Sequence, residues 1–159
     1  MNLFKFKITS KPLKMIPINE NAPVKAKKSI QIDALPQIVW KLLSEIDKWN
    51  EWNQDIKQSK LNGELEAGST FDWSSGGAKI SSTLHSVIPQ KVIGWSGKAF
   101  GAYAIHNWSI SEVNGKTEVW VEESMEGTLM RIFRGYMQNT LDNGMNRWLE
   151  QLKEAAEKN

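Results

Sequence analysis

The 159-residue chain has no cysteine, which excludes disulfide frameworks, thiolate zinc sites, iron–sulfur clusters and cysteine nucleophiles together. Histidine is nearly as scarce. His85 and His106 stand alone, with no His-x-x-x-His or Glu-x-x-His pairing, so a transition metal has little to bind and neither a metal site nor a cofactor is expected. Glycine and proline together number 16, too few for a collagen-like or low-complexity chain. Gly76-Gly77 lacks the Lys-Ser/Thr pair of a phosphate-binding loop, and no serine sits in Gly-x-Ser-x-Gly. Long apolar runs are also missing. Lys5 and Lys7 interrupt the first ten residues, so neither a signal peptide nor an integral membrane segment is expected, and the expected location is cytoplasmic.

What remains is the composition of one soluble domain: 40% hydrophobic, 24% charged, and long enough to bury roughly 70% of its unfolded surface. The net charge of +2 is unevenly spread. Residues 1–28 carry seven lysines against Glu20 alone, a local +6, which leaves −4 on the other 131 residues. Scattered lysines in an arginine-poor chain do not make a groove-reading element, so no nucleic-acid partner is expected. Pro12, Pro17 and Pro23 break any period in residues 1–24, which read as an irregular basic N-terminal segment with at most a brief strand at 3–8. Residues 25–159 read as the folded domain.

Periodicity orders that domain. Ile30 and Ile32 alternate with polar neighbours as a strand that stops at Asp33 and Pro36. Ile38, Val39, Leu42, Leu43 and Ile46 then mark one face of a short helix, and Trp49 with Trp52, three apart, a second helical turn. Period-two runs follow at about 56–62, 69–75, 78–88, 91–98, 102–112 and 116–126, separated by turn signals of which Asn114-Gly115 is the strongest. Such short connections make successive antiparallel hairpins. From Thr128 to Lys158 no proline occurs, and an apolar stripe that includes Ile132, Phe133 and Tyr136 predicts one long helix, bent or closely approached at Gly135 and Gly144. The expected class is therefore α+β: a curved antiparallel sheet whose apolar face is covered by the terminal helix, with a cavity between them.

Several short stretches, in order, resemble the START-like superfamily in its polyketide cyclase/dehydrase branch. They are Ile30-Gln-Ile-Asp-Ala-Leu-Pro36 with Val39-Trp40, Asp47-Lys-Trp49-Asn-Glu-Trp52-Asn53, Leu65-Glu-Ala-Gly68 to Trp73, Pro89 to Trp95, His106-Asn-Trp108, Thr117 to Glu123, Gly127 and Leu152-Lys-Glu-Ala-Ala-Glu157. The resemblance spans about residues 25–157. It implies a helix-grip fold, seven strands wrapped on a long C-terminal helix, and an internal pocket for lipids, polyketides or other apolar molecules.

Alternation then selects the pocket wall. Phe71 and Trp73, Ile80, Ser82 and Leu84, Ile93 and Trp95, Ala104, His106 and Trp108, and Val119, Val121, Glu123 and Met125 face inward, whereas His85, Tyr103 and Trp120 face out. If Asn114 and Gly115 form the turn, cross-strand partners sum to 229, which sets His106 against Glu123. The expected ligand-binding set is Trp73, Ser82, Leu84, Trp95, His106, Trp108 and Glu123 from the sheet with Ile132, Phe133 and Tyr136 from the helix. Trp49, Trp52, Gly76 and Gly77 are expected at the mouth. Three functions fit: binding of a small apolar or amphipathic molecule such as a lipid, polyketide or aromatic metabolite; a cyclase or dehydrase with His106 and Glu123 as acid and base; or a protein-interaction module like the superfamily's chaperone-activator branch, using the outer sheet face.

Overall fold

Alternating residues from Val24 onward build the first strand, β1 (Val24–Ile32), with Val24 and Ile32 fully buried and Lys25 and Lys27 in solvent. The computed structural model describes residues 15–159, so the brief strand read at 3–8 lies outside the described residues. Pro36, at the first helical position where its missing N–H costs nothing, opens α1 (Pro36–Ser44), which buries Val39 and Leu43. A 3₁₀ turn at Ile46–Lys48 leads into α2 (Trp49–Trp52). Six strands follow: β2 (Ile56–Asn62), β3 (Thr70–Ser75), β4 (Ala78–Ile88), β5 (Val92–Ala99), β6 (Ala102–Val113) and β7 (Lys116–Glu126). They form a meander, and β1 closes the far side against β7, giving the antiparallel order β1-β7-β6-β5-β4-β3-β2.

The turn chemistry fixes the register. Asn114 and Gly115 both take positive φ, 53° and 78°, the backbone a two-residue hairpin turn needs, and β6 and β7 pair so that His106 faces Glu123. Register shifts at Ile56/Gln58 and Leu84/Ser86 curve the sheet. Both edges are blunted. Gln138 bonds the backbone of Lys25, and Lys153 donates to the Gln31 carbonyl, along β1. Across the sheet, Ser59 Oγ donates to the Ile46 carbonyl and the Leu61 N–H donates to Asp47, so the 3₁₀ turn covers part of the β2 edge.

The C-terminal apolar stripe forms two helices, α3 (Thr128–Ile132) and α4 (Arg134–Glu157), instead of one. The break falls at Phe133 (φ −105°, ψ 32°), and the glycines expected to bend the helix, Gly135 and Gly144, lie inside α4 with open space around them. Competing anchors explain the break: Met130 ties α3 to Val24 and Ala102, while α4 runs beside β1 and buries Met145, Leu149, Leu152 and Ala156 against the sheet. Residues 15–23 cross the opposite face of the sheet. There Ile18 and Ala22 are buried, Asn107 donates to the Ile16 carbonyl, and Asn19 bonds Ser124 and Glu126.

Candidate functional site

Period-two strands bring their inward side chains together between the sheet and α4. Trp49, fully buried, packs edge-on against Phe71 (ring centroids 5.5 Å apart), Trp73 (6.0 Å) and Trp148 of α4 (5.6 Å), and at a tilt against Trp95 (5.4 Å). Trp148 also lies 5.5 Å from Trp108 and 5.4 Å from His106. Six large rings thus fill most of the concave side, and Trp49 satisfies its indole N–H on the Leu43 carbonyl at 3.0 Å.

Beyond these rings a cavity of about 90 Å³ remains, walled by Trp73, Ile80, Ser82, Trp95, His106, Glu123 and Met125 and by Gly97, Ala99, Ala102 and Ala104. The four small residues keep it open. A methyl group on Gly97 would already come within 2.6 Å of Ser82 Oγ. An apolar cavity of roughly 150 Å³ is what holds a benzene ring, and pockets for drug-sized ligands run to roughly 300–1,000 Å³. The space therefore takes the end group of a molecule, not a whole polyketide or lipid.

One charged group borders it. Glu123 Oε2 meets His106 Nδ1 at 2.5 Å, with the two side chains 16% and 5% exposed. Trp95, opposite His106 in the register, stacks on the imidazole at 4.5 Å and 11°. Behind a carboxylate the imidazole carries its hydrogen on Nδ1 and donates it, which holds the acid in one orientation. Among the described residues Glu123 Oε1 takes no hydrogen bond, and Ser82 Oγ, which accepts from the Trp73 indole at 3.1 Å, keeps its own hydrogen to give. The only other polar side chain in the wall is the His106 imidazole, whose Nε2 is buried without a hydrogen-bond partner among the described residues.

Of the sequence-predicted ligand set, the structure brings Trp73, Ser82, Trp95, His106 and Glu123 together around the cavity. Leu84 and Trp108 lie in the solid core, 1% and 0% exposed. Ile132, Phe133 and Tyr136 stand in solvent at 65%, 55% and 73%, because the break at Phe133 leaves Met130 as the inward residue of α3. The mouth residues are placed elsewhere. Trp49 is central to the ring cluster, Trp52 packs half-buried on the core, and Gly76-Gly77 turn between β3 and β4 without touching the cavity. Sequence reasoning missed Ala102 as a wall residue. Small residues at two-residue spacing, Gly97 and Ala99, then Ala102 and Ala104, were the available signal.

On the other face His85 sits at the β4 bulge, Nδ1 2.8 Å from Ser86 Oγ, and burial pushes its imidazole below the ordinary histidine range. Trp120 is 37% exposed, with the Lys27 ammonium 5.3 Å from its ring centre. Among the described residues no three His, Cys, Asp or Glu side chains gather as a metal site would need, and no helix is long and apolar enough to cross a membrane.

The family model described as polyketide cyclase/dehydrase and lipid transport matches residues 23–157. The chain belongs to this family. Its START-like, helix-grip architecture recurs in solved structures of low identity. A hypothetical protein of Helicobacter pylori superposes with a TM-score of 0.77 at 14% identity over 90% of this chain and 98% of that one. The Zhui aromatase/cyclase of a Streptomyces species gives 0.73 at 12% identity over 84% and 93%. A START superfamily protein of Mycobacterium smegmatis gives 0.61 at 14% identity over 80% and 98%. At such identities the likeness is one of fold. No functionally curated protein matches the sequence.

Proposed function

We propose that this START-like protein binds a small apolar or amphipathic molecule by one end, which enters the cavity and donates a hydroxyl or amine hydrogen to Glu123. The observation that carries this reading is the carboxylate itself. A largely buried acid in an apolar wall requires hydrogen-bond partners, and His106 supplies one while Oε1 stays available. Trp73 and Trp95 provide flat apolar sides for the ligand, and Ser82 a second polar contact. Tryptophan emission tests it directly: phenol, its hydroxyl edge in the cavity and the far side of its ring outside, should quench saturably and at least tenfold more tightly than toluene, which matches it in shape but has no donor. Glu123→Gln should erase most of that preference, since a hydrogen bond to a charged acceptor contributes about 1.5–3 kcal/mol. Equal affinity for phenol and toluene, or no saturation with either, overturns the reading.

A cyclase or dehydrase reading draws on the same pair, a carboxylate orienting an imidazole, which is the arrangement of a general acid and base. It requires a substrate whose reacting end fits about 90 Å³. The tightly filled interior favours the interaction-module reading, but residues 15–23 occupy the sheet face over β6 and β7 that such a module would use.

A further inference from the structure

Exposed apolar side chains are concentrated at one end of the molecule. Of the large hydrophobic residues left in solvent, Phe100 (72% exposed), Leu129, Ile132, Phe133 and Tyr136 belong to two segments that touch, the tip of the β5–β6 hairpin and the α3–α4 junction. Gly127, at the entry to α3, lies so close to Gly101 that an added methyl would sit 2.8 Å from the Gly101 carbonyl, and Met130 packs on Ala102. Burying Met130 turns its helical neighbours outward. A patch of this kind on a small soluble fold marks a binding surface.

Its charge is of one sign. Residues 96–105 contain Lys98 and no acid, and residues 127–141 contain Arg131 and Arg134 and no acid, all three cations being exposed. The bordering acids are engaged: Glu126 accepts from Asn19, and Asp142 holds Lys28 and Gln138. Aromatic and branched aliphatic tips ringed by exposed arginine and lysine suit an anionic lipid surface, where the rings enter the headgroup boundary and the cations meet phosphate. A protein partner of matching form would need an acidic rim around an apolar centre; a bilayer offers both without complementarity of shape. We propose that this end docks on anionic membranes. Ala99 and Ala102, which flank the Phe100-Gly101 tip, are also cavity wall, so docking sets the cavity beside the lipid. The surface is independent of whether the cavity binds an end group.

Vesicle flotation of the full chain tests it, with phosphatidylcholine alone and with phosphatidylglycerol added. Binding should require the anionic lipid and weaken with salt. Ile132→Ser with Phe133→Ser, both exposed and outside the two apolar clusters, should lower vesicle affinity at least tenfold. Arg131→Gln with Arg134→Gln should do the same, at about fivefold for each cation lost. Leu35→Ser, 57% exposed beside the opposite end of β7, should change nothing. Three results overturn the proposal. One is absence of vesicle binding. Another is binding that survives both double variants, which assigns it to the lysines of residues 1–28. The third is a self-associated chain that Phe133→Ser dissociates without any vesicle binding, which assigns the patch to a second copy.

Discussion

Trp95→Ala would convert the filled interior into an open one, and its size can be worked out from the packing. The side chain is 3% exposed and meets Trp49 at 5.4 Å, Phe71 at 5.5 Å, His106 at 4.5 Å and Trp148 at 6.2 Å. Truncating a buried tryptophan costs about 3–5 kcal/mol, and aromatic pairs worth roughly 0.5–1.5 kcal/mol each beyond their area place this site at the upper end. A loss of about 5 kcal/mol is a third or more of a typical domain's stability and should lower Tm by roughly 10–20 °C at this length. The vacated space joins the existing 90 Å³, so free indole should now fit. At a hundredfold excess over its Kd, indole returns about 2.7 kcal/mol, or roughly 5–11 °C. Thermal melts followed by circular dichroism, with and without indole, read both numbers. A loss under about 2 kcal/mol, or an equal indole effect on the unaltered chain, refutes the picture of a packed cluster bordering a small cavity.

Gly94→Ala places a methyl onto Asn107 Oδ1 and 2.6 Å from His85 Cε1, so it should cost about 1–3 kcal/mol in a urea melt, and Asn107→Ser in the same chain should relieve part of the loss. Glu123→Gln keeps the shape of the pair but weakens the partner of a buried imidazole; we expect about 1–3 kcal/mol less stability with an unchanged fold by circular dichroism. His85 is held below its ordinary value near 6.5, chiefly by burial and partly opposed by the Trp95 backbone, so the unfolded chain takes up its proton first. Stability should therefore fall as pH drops from about 6.5 toward the folded value, and His85→Asn should lose less Tm than the unaltered chain between about pH 7.5 and 5.5; equal losses would contradict this sign.

Much of the fold was legible because period two and turn chemistry are local. Asn114-Gly115 fixes one register, and the arithmetic from that turn brings His106 to Glu123 across β6 and β7. The inward assignment of Trp73, Ser82 and Trp95 follows from the same alternation. Features decided by competition between distant parts were not legible. Whether the terminal stripe stays one helix depends on Met130 reaching Val24 and Ala102 while α4 follows β1. Spacing places Trp49 and Trp52 on one helical turn but cannot say that Trp49 reaches the centre of the ring cluster, since that requires Phe71, Trp73, Trp95 and Trp148 to close around it. The cavity volume is what those rings leave, a difference between large quantities that no linear pattern encodes. Residues 15–23 carry no period, yet two hydrogen bonds from Asn19 and one from Asn107 hold them on the sheet.

The central claim is that an end group bearing a donor enters the cavity beside the His106–Glu123 pair. The chain has only two histidines, one in the cavity wall and one on the opposite face of the sheet, so nitrogen-15 spectra of the imidazole side chains resolve the two faces without further labelling. Titrated with phenol, His106 should shift saturably, with the same Kd as tryptophan quenching, while His85 stays fixed. A stationary His106 at phenol concentrations that saturate the fluorescence would place the ligand elsewhere and contradict the account.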